Sequence, residues 1–250
     1  MSGADTLRSE QVIHGFWCIT GDPSIVDAAA SVGPDFMVID TQHGIDLGRL
    51  DSSLFTLLAH YGVPGLVRVE SIDLGRIGRA LDLGAAGIVI PLVESAQDAE
   101  RAVHATRHAP RGGRSYGMQT RRVGPFDETP YVVLQVETAG SISDIEAIAA
   151  VDGVDALYIG PADLGLGLVG VPAPNVESVF DGTHEHATAM SEAFKAVIDA
   201  AGPGVRAGLH CGTGSSAARA VSEGFTMTSV AVDVGLILSG LRHQLATARG

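Results

Sequence analysis

Along this chain, short apolar runs alternate with longer stretches in which apolar residues return every three or four positions. Runs such as VVLQV (132–136) and GIVI (87–90) are continuously apolar, the pattern of strands buried on both faces in a parallel sheet. Strands are expected at Gly15–Thr20, Phe36–Asp40, Gly65–Glu70, Gly87–Pro91, Tyr131–Glu137, Ala156–Gly160, Gly204–His210 and Phe225–Val232. Helical periodicity fills the intervals at Pro23–Ser31, Leu47–His60, Leu74–Leu83, Ala96–His108 and Ile142–Ala150. His184–Ala201 reads as the longest helix, and Val234–Ala248 closes the chain. Eight strand–helix repeats in 250 residues, with no low-complexity linker, predict one α/β domain over 1–250, a single (β/α)8 TIM barrel. A doubly wound open sheet is the alternative, but no GxGxxG opens the first unit.

Composition narrows the partners. Sixteen basic residues stand against 29 acidic ones, a net charge of -13, and no basic run offers the phosphate neutralisation that nucleic acid requires. The densest basic stretch, Arg107–Arg122, includes Arg111, Arg114, Arg121 and Arg122; it reads as a solvated loop, or as a lid or subunit contact for an anionic substrate. No apolar run reaches the roughly 20 residues of a membrane span, and Met1–Glu10 lacks an apolar signal core. Cys18 and Cys211 form no metal-like or CxxC pair, so a reducing cytoplasm is expected. Lys195 is the single lysine and falls in a helical pattern away from any strand end, which closes an imine route.

In such a barrel, chemistry gathers at the C-terminal ends of the strands. Those ends carry Asp40 with His43, Arg68 with Glu70, Glu94, Gln135 with Glu137, Asp163, His210 and Asp233. Glu137 and Asp163 lie one βα unit apart, so neighbouring strands would aim both carboxylates into one mouth. Without a nearby His or Cys, the pair suits a hard cation, Mg²⁺ or Mn²⁺. The same residues would equally serve as caps, Glu137 for the helix opening at Ser141 and Asp163 for its own turn. His43 is either a general base near neutral pH or an ordinary loop histidine. Arg68, inside an apolar strand, is either the buried partner of Glu70 or Asp40, or a stabiliser of oxyanion charge.

The segments FMVIDTQHG (36–44), LVRV (66–69), LDLGAAGIVIPLVESAQDA (81–99), RGGRSYG (111–117), QVET (135–138) and GVDALYIGPADLG (153–165) occur in that order. Together they resemble, over essentially the whole chain, the HpcH/HpaI class II pyruvate aldolases, of which 4-hydroxy-2-oxoheptanedioate aldolase is a representative. The resemblance implies a barrel of the phosphoenolpyruvate/pyruvate type, assembled as a homohexamer of dimers that exchange the last helix. It implies reversible cleavage of 4-hydroxy-2-oxo acids to pyruvate and an aldehyde through a metal-stabilised pyruvate enolate. Glu137 and Asp163 would hold the divalent cation (Mg²⁺, Mn²⁺ or Co²⁺), and Gln135 with the backbone of Ala162 and Asp163 would contact pyruvate. Arg68 would stabilise the enolate or alkoxide oxygen. His43 would be the base, acting through a water on the metal, with Asp82 raising its basicity from a neighbouring subunit.

The chain departs from that pattern in places. Gln42 stands where the family has Glu, Met118–Thr129 is shorter than usual, Gly165–Pro174 is rich in Gly and Val, and His210-Cys211 has no counterpart among the motifs. These segments are expected to shape the aldehyde site. Three other readings stand beside the aldolase: a citryl- or malyl-CoA-type lyase, a phosphate-binding barrel using Gly212–Ser216, and a catalytically silent binding protein.

Overall fold

The computed structural model describes residues 2–117 and 129–250. Eight parallel strands pair in chain order and close into a barrel: β1 (Ile13–Cys18), β2 (Phe36–Asp40), β3 (Gly65–Arg68), β4 (Gly87–Ile90), β5 (Tyr131–Val136), β6 (Ala156–Ile159), β7 (Arg206–Leu209) and β8 (Met227–Val232). Around it run α2 (Pro23–Ala30), α3 (Ser52–His60), α4 (Leu74–Leu83), α5 (Ala96–Thr106), α6 (Ala139–Ser143) with α7 (Ile145–Ala149), α8 (Pro161–Val169), α9 (Val176–Phe180), α10 (Ala187–Ala200), α11 (Gly214–Glu223) and α12 (Asp233–Arg249). A further helix, α1 (Gly3–Ser9), precedes the barrel. The expected (β/α)8 architecture is present. No helix among the described residues is long and apolar enough to cross a membrane.

Three helix expectations need correction. The stretch Leu47–His60 is a short 3-10 turn followed by α3, because the Asp51 carboxylate accepts the Ser53 N–H at 2.7 Å and starts a new helix. Ile142–Ala150 divides at Asp144, whose carboxylate is drawn to the Ala96 N–H (2.7 Å) at the head of α5. The helix expected over His184–Ala201 starts at Ala187, and α12, with 17 residues against 14, is the longer one.

Strand alternation sorts side chains into two shells. Outward residues pack against the helices, while Trp17, Phe36, Tyr131 and Tyr158 fill the lumen with smaller aliphatic neighbours. The rings fit because glycine stands opposite them. A Cβ on Gly15 would lie 2.2 Å from the Phe36 ring, and one on Gly208 would lie 2.3 Å from Tyr158. The N-terminal end of the barrel is stoppered by α1, whose Ala4 and Leu7 join this inner cluster. Three side chains pin the stopper. Arg8 forks onto Asp155 (2.7 and 3.0 Å), Asp155 also accepts the Val132 N–H at 2.8 Å, and Arg206 donates to the Leu7 and Gln11 carbonyls (2.7 and 2.8 Å).

Asp155→Ala breaks that knot, leaving the Val132 N–H unpaired and the half-buried Arg8 guanidinium with only the Thr129 and Pro130 carbonyls and a distant Asp5. The expected cost is about 2–3 kcal/mol, read as a fall in Tm of about 5–10 °C. An unchanged melt would show that the stopper adds nothing to stability.

At the opposite end, Asp233 fastens the seam of the barrel. Its carboxylate accepts from Ile19 N, Thr20 N and Thr20 Oγ1 (3.1, 3.0 and 2.7 Å), tying the end of β8 to the end of β1. Burial opposes its charge, but those donors hold Asp233 below the ordinary carboxylate range. Past Asp233, residues 234–249 of α12 are exposed, including Leu236, Ile237, Leu238 and Leu241.

Candidate active site

The C-terminal mouth is organised around Asp40, the last residue of β2 and 1% exposed. Its register partner on β3 is Arg68, whose Nε and Nη2 donate to the two Asp40 oxygens at 3.0 and 2.5 Å. Trp17 adds an Nε1–H bond to Asp40 at 3.3 Å and lies under the guanidinium, 5.1 Å from ring centroid to Cζ. Burial on its own would raise the Asp40 acid, but the Arg68 bonds and charge outweigh it and hold the carboxyl low. Of the two partners open to Arg68 in the sequence, the structure selects Asp40; Glu70 pairs with Arg76 instead. Two of the five guanidinium donors are used in this way, which leaves the others for a ligand oxygen.

The same carboxylate shapes the loop that follows. Asp40 Oδ1 accepts the N–H groups of Gln42 and His43 (3.0 and 3.2 Å), a turn that sets His43 at the exposed rim. Gly44 is required next, since a Cβ there would lie 2.3 Å from the Ile19 carbonyl.

Glu137 follows β5 and is 3% exposed. Its Oε1 accepts from Gln135 Nε2 at 2.8 Å, and its Oε2 accepts the Leu92 N–H at 3.2 Å. Leu92 holds a left-handed φ of 53°, a conformation that costs a non-glycine residue energy and often marks a functional site. The carboxyl lies against Gly160, where a Cβ would sit 2.4 Å from Oε1, and Gly160 opens the turn that carries Asp163. Burial pushes the Glu137 acid up to about 7, and the charges of Asp163 and Asp40 push the same way, against the Leu92 N–H and Arg68. Asp163 sits in the first turn of α8, exposed, with no protein donor on its carboxylate among the described residues.

These features fit a divalent cation. The Asp163 charge helps raise the Glu137 acid at the same rim, and the buried Gln135 Oε1 beside them has no hydrogen-bond partner. No group of three or more His, Cys, Asp or Glu that could hold a metal converges among the described residues, and a cation held by this pair would need further oxygens from water or a ligand. The capping alternative weakens accordingly: Thr138, not Glu137, caps α6, through a box with Ser141.

Several other sequence candidates lie apart from the carboxylate pair. Within one chain Asp82 is at the C-terminal turn of α4, by the opposite face of the barrel, and Arg114 grips it at 2.6 Å. That contact, with Arg107 facing Asp152 at 3.4 Å, pairs part of the basic stretch; Arg121 and Arg122, and nearly all of Met118–Thr129, lie outside the described residues. Lys195 is exposed on α10 and paired with Asp199, away from the mouth. The Gly212–Ser216 turn is a capping box on α11 with Glu177 accepting from Thr213 and Ser215, a carboxylate where a phosphate would have to bind. Sequence reasoning missed Trp17 and Leu92: an aromatic inside an apolar strand reads as core, and backbone strain has no residue signature at a leucine.

The model of the HpcH/HpaI aldolase/citrate lyase family matches residues 14–239. The chain is 37% identical over 190 residues to a 4-hydroxy-2-oxovalerate aldolase of Novosphingobium aromaticivorans, covering 72% of each. It is 32% identical to a hydroxypyruvate/pyruvate aldolase of Pseudomonas aeruginosa over 98% of this chain and 91% of that one. Among solved structures, an HpcH/HpaI aldolase/citrate lyase family protein from Burkholderia cenocepacia J2315 superposes with a TM-score of 0.84 at 29% identity, covering 99% and 98% of the two chains. With a closed eight-stranded barrel, paired carboxylates at its mouth and a family match spanning most of its length, the chain belongs to the HpcH/HpaI aldolase/citrate lyase family, whose members cleave carbon–carbon bonds.

Proposed function

We propose that this protein is a class II, divalent-metal-dependent aldolase that reversibly cleaves 4-hydroxy-2-oxo acids to pyruvate and an aldehyde. The observation that carries this reading is the convergence of Glu137 and Asp163 beside the unpartnered Gln135 oxygen, with Arg68 across the same mouth. Glu137 and Asp163 would hold the cation, Mg²⁺, Mn²⁺ or Co²⁺, which when bound would supply Lewis-acid polarisation of the 2-keto group. Gln135 and the backbone N–H groups of Ala162 and Asp163, at the head of the nine-residue α8, would orient the substrate carboxylate and keto oxygens.

Cleavage then asks three things of the protein. His43 accepts the C4 hydroxyl proton, the C3–C4 bond breaks, and the aldehyde leaves. The electron pair settles as an enolate whose oxygen faces the free Arg68 donors. A proton returned to C3 gives pyruvate. His43 and Asp82 are far apart in one chain, so their pairing requires the partner subunit's Asp82. The exposed apolar side of α12 supports the assembly this needs, a homo-oligomer in which the last helix packs on a second copy. Cytoplasmic action is part of the same reading, in keeping with two buried, unpaired cysteines.

The deciding assay is pyruvate release from a panel of 4-hydroxy-2-oxo acids with Mg²⁺, Mn²⁺ and Co²⁺ compared. Chelation is expected to abolish turnover, and borohydride with pyruvate is expected to leave the protein unmodified. Activity in a rigorously chelated sample, or reductive trapping on Lys195, would overturn the reading. Leu238→Asp with Leu241→Asp is expected to shift the particle to a smaller species in light scattering. An unchanged mass would remove α12 from the interface.

A further inference from the structure

His210 stands at the mouth and has no part in the reaction as described. It follows β7, and its ring packs edge-on against Trp17 (centroids 4.9 Å apart, planes at 88°) and 6.5 Å from Tyr158, in the same aromatic layer that underlies Arg68. The tautomer can be read from its neighbours. Ser229 Oγ lies 3.2 Å from His210 Nδ1, 2.8 Å from the Cys211 carbonyl and 2.9 Å from the Cys211 N–H, which donates to it. A carbonyl can only accept, so the single Ser229 proton goes to Cys211 O across the shorter contact. The hydroxyl oxygen is then an acceptor toward the imidazole, and Nδ1 carries the hydrogen. Nε2 is left as a bare lone pair with no protein partner among the described residues. Burial, and secondarily the Arg68 charge, keep the ring neutral, lowering its pKa to about 4 against the pull of Asp40.

A neutral acceptor beside a guanidinium, walled by Trp17 and Tyr158, suits an uncharged O–H donor and disfavours a cation. We propose that His210 is a specificity-determining residue whose Nε2 accepts a hydrogen bond from a substrate hydroxyl. This rests on the aldolase reading and adds a substrate class to it: hydroxylated over deoxy partners. Such a hydroxyl has two sources, C3 of a 3-hydroxy-2-oxo acid donor or the aldehyde acceptor.

The test compares hydroxypyruvate with pyruvate, and glycolaldehyde with acetaldehyde, using the native protein and His210→Phe, which keeps a ring against Trp17. Affinities for the two acids are measured in parallel by calorimetry with Mg²⁺. The variant is expected to lose about tenfold or more in kcat/KM or affinity for the hydroxylated member of one pair, and under about twofold for its deoxy counterpart. The pair that responds identifies the source. Equal losses on both members, no loss in either pair, or binding of neither acid overturns the proposal. Independently of turnover, imidazole ¹⁵N shifts are expected to show His210 protonated at Nδ1, and protonation at Nε2 overturns it. If no 4-hydroxy-2-oxo acid is cleaved, the aldolase reading falls while the shifts and affinities still decide the role of His210.

Discussion

Glu137→Gln is expected to suppress pyruvate release by at least about a thousandfold with every divalent metal, the scale of a lost Lewis-acid site, while relieving a stability penalty in the metal-free protein. The two effects have one origin. Burial, reinforced by Asp163 and Asp40, raises the Glu137 pKa from an ordinary 4.5 to about 7. Below pH 4.5 the group is neutral in both folded and unfolded chains, and no penalty exists. Between 4.5 and 7 the unfolded chain ionises first, so native stability falls as pH rises. Above 7 the full shift applies, worth about 3 kcal/mol at roughly 1.4 kcal/mol per unit. The amide cannot ionise, although it loses an acceptor for the Leu92 N–H at a cost of about 1 kcal/mol. Denaturant titrations should therefore show the variant gaining on the native chain by about 3 kcal/mol from pH 4.5 to pH 8. Cation binding at pH 6 should release a proton from the native protein and none from the variant, read by calorimetry in buffers of different ionisation enthalpy. Turnover retained by the variant would mean that the cation is held elsewhere.

How far the sequence reached depends on the length scale of the interaction. Parallel strands buried on both faces announce themselves locally, so all eight were placed, and with them the rim residues Arg68, Gln135 and Glu137. Partner choice was not local. Glu70 and Asp40 are equally plausible for Arg68 by spacing, and only the β2–β3 register sets Asp40 opposite it. The stopper α1 was not expected, because only Ala4 and Leu7 carry its apolar contact and its fastening to Asp155 and Arg206 spans 147 and 199 residues. The helix α12 was legible to within one residue at each end, but its role was not. Its apolar residues find no cover within one chain, and nothing in the helix itself names what would cover them. His210 could be located at a strand end, but its tautomer depends on a serine 19 residues away.

Arg68→Met is expected to harm folding and turnover together, and the double variant Arg68→Met/Asp40→Asn is expected to separate them. In the native protein Arg68 is 9% exposed and Asp40 1%, so removing the guanidinium strands a buried carboxylate whose remaining donors are Trp17 Nε1 and two backbone N–H groups. The expected loss is about 3–4 kcal/mol at neutral pH. The sign with pH follows from the native pair: Asp40 is held below its ordinary 3.8, so its contribution is present above that value and fades as acid protonates it. The gap between the single variant and the native protein should accordingly narrow as pH falls below 3.8, where the stranded group can take a proton. The amide introduced by Asp40→Asn would keep an oxygen for the Gln42 and His43 N–H groups and carry no charge, so the double variant should recover most of the stability at pH 7. Turnover should stay about a hundred- to a thousandfold down, because no cationic donor then faces the developing enolate oxygen. Activity returning in step with stability would reassign Arg68 from the reacting oxygen to the support of the His43 loop.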